Sequence, residues 1–372
     1  MQRAHKIRIY PTREQEIQLY KTAGTARYAY NWALDQWKSQ YDAFDKGLSQ
    51  ERPSAFKLVT RWTKERPDWS HEVARCSQNR AIMNVGKAFD NLWRGKAAYP
   101  KFHKKGRKDS FYVDNTAAYI EDNRISLPRI GKVRLAEPLR YTGKIMSYVV
   151  SVYAGQWFVS VQVELTSDVR PRCEAPDSSV GIDVGLSHVA VASDGTVLDM
   201  PKSLTRLDAH LKALQRKLSK KAKRSHNRSK ALQRKQKVQR RINNIRKDAV
   251  HKFTHAIAKN HGIVVTENLN IHGMVEKGSK PLRRSLAHSL MGEVIRQVSY
   301  KAQRHIMVDR FFPSSKRCSC CGSVKASLGL DERTYRCEAC GLVLDRDHNA
   351  SLNLMQAGKV IPGVPVESAA SC

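Results

Sequence analysis

The sequence predicts a multidomain α+β chain: a β-rich module of barrel type interrupted by helices, then an α/β domain carrying a four-cysteine metal ribbon. Three observations lead there. Short alternating strands fill residues 100–170, strands alternate with helices from 178 onward, and two Cys-x2-Cys pairs stand close together near the C-terminus.

Taken in order, HKIRIYP alternates basic and apolar residues and predicts an edge strand ending at Pro11. From Thr12 the text turns helical, with a capping-box pattern followed by apolar residues at helical spacing as far as Phe44. A second helical stretch covers Ser77 to Trp93. Both are rich in Arg, Asn, Gln, Tyr and Trp, side chains that stack on bases or hydrogen-bond to them, which makes Tyr30, Gln78 and Asn79 candidate contacts. Ordinary core packing is the competing reading for such aromatics. The segment from Tyr99, YPKFHKKGRKDSFYV, is a basic loop leading into a strand, with Lys104 and Arg107 as candidate phosphate contacts. FYVDNTAAYI, RISLPRIGKVRL and IMSYVVSVYAGQWFVSVQVEL read as short strands with turns at Asp122-Asn123, Gly131 and Gly155. If HKIRIYP is the first strand of this module, the helices of 13–99 form an insertion between 1–12 and 100–170.

The polar, two-proline stretch DVRPRCEAPDS sets a domain boundary near 168–178. Beyond it, GIDVGLSHVAVASDGTVLDM predicts three strands with a hairpin turn at Asp194-Gly195. Residues 202–247 hold 18 basic side chains and one acid, Asp208, and a helical hairpin is expected over 202–249, broken near SHNRS. Leu204, Leu207, Leu211, Leu214 and Leu218 recur at three- and four-residue steps, so one face docks while the others present charge. A merely solvated face normally mixes signs, so phosphate contact is favoured, with Lys220, Lys221, Arg224, Arg228, Arg240 and Arg241 as candidates. GIVVTENLNI is an apolar strand ending in a lone carboxylate, SLAHSLMGEVIRQVSYKAQRH is helical, and the tail of 358–372 lacks periodicity and reads as disordered.

Lys and Arg number 66 against 34 Asp and Glu, a formal charge of +32 that calls for a polyanion, and long nucleic acid is the commonest one. No apolar run is long enough to span a bilayer, and MQRAHKIRIYPT has no signal-peptide core, so no membrane association is expected. Five of the eight cysteines cluster, which favours metal binding in a reducing, cytoplasmic compartment over a disulfide framework. Cys318-x2-Cys321 and Cys337-x2-Cys340, 15 residues apart and each followed by glycine, have the spacing of a tetrahedral four-thiolate zinc site. Four closed thiolates make that one zinc ion structural. Cys320 faces away by register, or replaces Cys321 in a weaker arrangement.

Three carboxylates interrupt or end apolar elements: Asp183 in mid-strand between Ile182 and Val184 of GIDVG, Glu267 at the end of IVVTE, and Asp347 in LDRDHNASLNLM. Each alone has a plain reading: a buried acid, a strand-end surface acid, a helix N-cap. Jointly, in a basic chain that approaches phosphate, they suit two Mg²⁺ ions roughly 4 Å apart that cleave a phosphodiester to a 5′-phosphate and a 3′-hydroxyl. Asp345 and Asp199 are the nearest rivals, and Asp194 belongs to a turn.

GIDVGL, VVTENLNI, CSCCG, CEACG and DRDHNASLNL, with looser echoes in RYAYNWAL, AFDNLW, YPKFHKKGRKDSF and the basic run, follow one another as in the TnpB proteins of bacterial insertion sequences. The chain resembles that family, relatives of the compact type V CRISPR nucleases, along about nine-tenths of its length. The resemblance implies an RNA-guided DNA endonuclease: a wedge barrel interrupted by a helical recognition domain (13–99), then an RNase H-like (RuvC) nuclease domain over 178–312 and 343–357 with the zinc ribbon at 313–342. Asp183, Glu267 and Asp347 take its catalytic, Mg²⁺-binding positions. It also implies a noncoding guide RNA and double-stranded target DNA as partners, a monomer in the ribonucleoprotein, and association with the nucleoid when bound. The extra Cys320 departs from the pattern. An RNA-guided DNA-binding regulator without cleavage and a strand-transferring transposase are the alternative readings; the unbroken carboxylate set argues against the first.

Overall fold

The computed structural model describes residues 1–279, 283, 286, 290–329 and 331–360. The chain divides into two units, Met1–Asp168 and Val169–Cys372. In the first, β1 (Gln2–Tyr10) is followed by α1 (Arg13–Asp45), α2 (Ala55–Glu65) and α3 (Arg75–Trp93) before the remaining strands begin. Thr12 caps α1 and Gln15 closes the capping box, its side chain accepting from the Thr12 N–H. The strands β2 (Ser110–Asp114), β3 (Tyr119–Glu121), β4 (Arg124–Leu127), β5 (Gly131–Leu135), β6 (Gly143–Tyr153) and β7 (Gln156–Leu165) join β1 in one antiparallel sheet ordered β2-β6-β7-β1-β5-β4-β3.

This corrects the expected edge strand. β1 lies between β7 and β5, pairing with β7 over Gln2–Ile9 and with β5 only at Ile9 and Tyr10. Alternation reports that one face is buried; it does not report how many neighbours a strand has. Tight turns sit where the sequence placed them: Asp122 and Asn123, then Ala154 and Gly155, all have positive φ, the twist that two-residue hairpins need. Ile7, Val159 and Val161 of the sheet share a core with Leu19, Leu34, Trp62 and Ile82 of the helices. No described pairing joins β2 to β3, so the hydrogen bonding does not close the expected barrel.

The second unit contains β8 (Ser179–Asp183), β9 (Ala190–Ala192), β10 (Val197–Leu198), α4 (Ser203–Ser219), α5 (His226–Asn260), β11 (Ile263–Glu267), α6 (Ile271–Lys277), α7 (Met291–Lys301), β12 (Arg304–Val308), β13 (Thr334–Arg336), β14 (Val343–Asp345) and α8 (Arg346–Val360). Its main sheet is ordered β10-β9-β8-β11-β12; the β10-β9-β8 edge is antiparallel, whereas β8, β11 and β12 run parallel. One face carries Val180, Ile182 and Val264 against Val250, Phe253 and Ile257 of α5 and Val294 and Val298 of α7. On the other, Ile263, Val265, Ile306 and Val308 pack against Leu354 of α8. Buried on both faces, these strands read as continuous apolar runs, which is why IVVTE carries no alternation.

Several boundaries differ from the sequence reading. α5 does not stop with its basic half but continues to Asn260, where its apolar face joins the core. Arg304 and His305 open β12 instead of extending the preceding helix, whose expected start at Ser285 and the segment 287–289 lie outside the described residues. Gly358 to Val360 are helical; the rest of the expected tail lies outside the described residues.

α8 approaches the sheet closely over β8. A Cβ on Gly181 would lie 2.0 Å from the Ser351 carbonyl oxygen and 2.5 Å from the Met355 nitrogen, so only glycine lets the helix sit there. α8 also grips the chain before β13. The fully buried Asn353 amide donates to the carbonyls of Ser314 and Arg317, and Asn349 donates to Arg317 and accepts from the Ser319 N–H.

Two outcomes test this packing. Gly181→Val should destabilise the second unit by roughly 1–3 kcal/mol or more, read as a lower thermal midpoint in calorimetry, while the unfolding of the first unit stays in place. Asn353→Ala, which takes the Asn353 donor from the buried Ser314 carbonyl and leaves the Arg317 carbonyl to Asn349 alone, should cost about 1–3 kcal/mol by urea titration, and Asn353→Leu should not rescue it.

Candidate active site and metal centre

β8 and β11 are adjacent and parallel, with Gly181 opposite Val265 and Ile182 opposite Thr266. Asp183 and Glu267, the last residues of the two strands, therefore stand side by side at the carboxyl edge of the sheet. By period two, Asp183 shares a face with Gly181 and Glu267 with Val265, the face that α8 covers. Ser351 sits over Gly181, and Asp347 is one helical turn before it, so the start of α8 brings the third carboxylate to the same edge. The cap of this helix is Asp345, whose Oδ1 accepts from the Asp347 and His348 N–H groups at 2.9 and 3.0 Å. That frees the Asp347 carboxylate from the plain capping role and assigns it to the rival residue.

The carboxylates feel one another. Burial, then the charges of Glu267 and Asp347, push Asp183 up to about 7, against the opposing pull of Arg346 and the Val184 N–H. Glu267 is raised by burial and held back by the Ser314 hydroxyl, which donates to its Oε1 in a short hydrogen bond. Ser314 is a residue that sequence reasoning missed; only its place between Phe312 and the first cysteine knuckle could have suggested it. Half-buried acids crowded beyond what Arg346 offsets are the arrangement that a divalent cation relieves. His188, on the loop after β8, donates from Nδ1 to Asp199 Oδ1 over 2.8 Å, and its pKa is raised by that bond. Asp194 supports the expected turn, accepting from the Thr196 N–H, and pairs with His261.

The sulfur atoms of Cys318, Cys321, Cys337 and Cys340 lie within 4.8 Å of one another, with Cys318 to Cys340 and Cys321 to Cys337 both at 3.6 Å. A tetrahedron with metal–sulfur bonds of about 2.3 Å has edges of about 3.8 Å, so the four thiolates fit one zinc-sized ion. Cys320 is outside this set and packs beside the buried Tyr335. Gly322 and Gly341, both at positive φ, turn the chain after each knuckle.

Among the residues singled out for nucleic-acid contact, three are spent on the protein itself. Gln78 is fully buried, accepting from the Trp62 indole and donating to the Ser70 carbonyl. Tyr30 is buried with its ring stacked on His103 at 3.8 Å. Arg228 donates to the Leu218 and Lys221 carbonyls, closing the end of α4. Asn79 and Arg240 are half-buried. Lys104 and Arg107 line an open cleft of about 1180 Å³ against α1 and α3, and Lys220, Lys221, Arg224 and Arg241 are exposed. The loop bearing Lys104 is fixed to α1: Asn31 exchanges two hydrogen bonds with the His103 backbone, and Arg27 pairs with the buried Asp109 at 2.6 Å.

Known proteins are similar to this chain. Residues 158–278 match the OrfB family of IS605 elements, described as "Probable transposase", and residues 292–354 match the Cas12f1-like TNB domain. Residues 1–46 match a domain described as helix-turn-helix, although here they form one strand and one long helix. The chain is 30% identical to "Putative RNA-guided DNA endonuclease InsQ" of Escherichia coli K12, covering 96% of this chain and 92% of that protein. It is 32% identical to a "Putative RNA-guided DNA endonuclease" of Streptomyces pristinaespiralis, with 96% and 90% covered. In fold it resembles the protein of a Cas12f1–sgRNA–target DNA complex, at a TM-score of 0.57 and 13% identity over 95% of this chain and 98% of that one. With relatives of that identity along nearly its whole length, the chain belongs to the OrfB family of IS605-type insertion sequences, the TnpB proteins.

Proposed function

We propose that this protein is an RNA-guided DNA endonuclease whose second unit is an RNase H-like (RuvC) nuclease domain with Asp183, Glu267 and Asp347 as its active site. The observation that carries the reading is the meeting, at one sheet edge, of three carboxylates drawn from positions 84 and 80 residues apart in the chain. A sheet with two antiparallel strands on one side of β8 and two parallel ones on the other, covered by helices on both faces, supports the RNase H-like assignment. The two relatives above, named as RNA-guided DNA endonucleases, support the activity.

Asp183, Glu267 and Asp347 would hold two Mg²⁺ ions. Bound Mg²⁺ supplies an activated water and charge for the leaving oxygen, and the products are a 5′-phosphate and a 3′-hydroxyl. The protein's part is to keep three acids together despite their repulsion. Ser314 fixes the orientation of Glu267, and Gly181 fixes the depth at which Asp347 arrives. Cys318, Cys321, Cys337 and Cys340 would hold one structural zinc, and Asn349 and Asn353 tie the segment that enters this ribbon to α8. In the first unit the sheet serves as the wedge and α1–α3 as the recognition helices. A noncoding RNA pairs with one strand of target duplex while the protein contacts backbone and a short adjacent motif, as a monomer in the ribonucleoprotein of the bacterial cytoplasm.

With its own copurifying RNA, a matched target duplex and Mg²⁺, the wild-type protein should cut, as read on a denaturing gel. Asp183→Ala and Glu267→Ala should each lower the cleavage rate at least about a thousandfold with RNA affinity in filter binding unchanged; a variant that still cuts would remove that residue from the site. Asp345→Ala should lower stability by about 1 kcal/mol, the cost of a lost cap, and leave the cleavage rate within a few-fold. Elemental analysis should find one zinc per chain. Cys337→Ser should lose it together with thermal stability, because such binding is coupled to folding.

A further inference from the structure

Exposed apolar side chains are common and most need no explanation. Phe311 is set apart by where it stands: 87% exposed, the most exposed aromatic among the described residues, on the turn that joins the active-site edge to the first cysteine knuckle. β12 is parallel to β11 and pairs its last residue, Val308, with Glu267, so the chain leaves the sheet at the carboxylate edge. Three residues later comes Phe311, and three residues after that Ser314, whose hydroxyl holds Glu267. The turn is fixed at both ends. The Phe311 N–H donates to Asp309 Oδ1 at 2.8 Å and the Phe312 N–H to the Asp309 carbonyl at 3.1 Å. The Phe312 ring packs into the core beneath α8, and Asn353 holds Ser314 from below. Phe312 thus anchors the turn on the α8 face while Phe311 projects from it to solvent, beside a cationic neighbour, Arg310.

From this placement we propose that Phe311 is a base-stacking platform for single-stranded nucleic acid: it receives the base next to the scissile phosphate and positions that phosphate over Asp183 and Glu267. Stacking needs a rigid, exposed π-face and tolerates any base, which suits a site whose sequence choice is made elsewhere. The inference rests on the active-site reading above. Phe311 is a positioning residue, and it makes no contact with the reacting atoms.

The test uses the full chain with its bound RNA. In the Asp183→Asn background, target DNA carrying 5-iodouracil near the cut site is irradiated at long wavelength, and the attached peptide is located by mass spectrometry. The expected crosslink is at Phe311, retained as a Trp adduct in Phe311→Trp and absent in Phe311→Leu. In the Asp183-intact protein, Phe311→Leu should raise KM about 5- to 150-fold, the range that base–aromatic stacking supplies, with kcat reduced less and Phe311→Trp near wild type. So exposed a side chain should leave the thermal midpoint unchanged. A crosslink elsewhere, or a Phe311→Leu enzyme that cuts with wild-type KM, overturns the platform while leaving the nuclease intact. A wild-type protein that never cuts overturns the nuclease reading instead, and the crosslink still reports on stacking.

Discussion

The candidate site depends on one close approach, that of α8 to β8 at Gly181. Asp183 and Glu267 are neighbours because their strands pair, a local consequence of sheet hydrogen bonding. Asp347 has no such guarantee: it lies 80 residues beyond Glu267, past the cysteine knuckles. Its position is set by how deep and how far along the sheet the helix settles. At Gly181 the Ser351 carbonyl lies where any side chain would have to begin, and further along Gly358 sits against Val265 in the same way. Two glycines thus fix the height of the helix, and Asp345 fixes where it starts. A shift of a single residue along α8 would turn the Asp347 side chain about 100° around the axis and away from the other acids.

The ribbon belongs to the same construction. A four-thiolate centre performs no chemistry, yet Asn349 and Asn353 tie the segment entering it to α8, and Ser314 in that segment holds Glu267. Helix, ribbon entry and carboxylate are therefore joined by buried and half-buried hydrogen bonds, costly to leave unmade. Ordering the knuckles orders the residues that orient Glu267, which would give the proposed structural metal its place between Glu267 and Asp347 in the chain.

What could be read from the sequence was whatever a local pattern encodes. The Cys-x2-Cys pairs announce themselves because two sulfurs facing one ion need that spacing, and the four that converge are the four expected. Asp183 and Glu267 stood out as charges in apolar strands, where a charge is expensive, although Asp183 reads as mid-strand and β8 in fact ends at it. Tertiary burial left no such trace. Gln78 and Tyr30 have the chemistry of base readers, but a distant indole and imidazole occupy them. Arg228 looks like its exposed neighbours until the turn folds its guanidinium onto the end of α4. β1 alternates as an edge strand would, since alternation counts faces and not partners. The distinction between Asp345 and Asp347 was invisible for a similar reason: both stand where a cap could be, and only the backbone decides which one accepts.

The charge distribution gives the chain two jobs that oppose each other. Along 202–247 the excess of 18 basic residues over a single acid favours any phosphate backbone, and such contact carries no sequence information. A protein that grips nucleic acid this indiscriminately cannot choose a target through those contacts, so choice must come from something paired to the bases, which is what the proposed guide RNA supplies. At the sheet edge the problem is reversed. Three crowded acids repel phosphate as well as one another, and burial together with the charges of Glu267 and Asp347 pushes Asp183 up to about 7, so an added positive charge at that edge would favour its ionised form. Under the proposed function, binding and cutting would fall under separate electrostatic control: the basic side chains of 202–247 would meet the polyanion, and the carboxylate edge would admit phosphate once a divalent cation offset its charge.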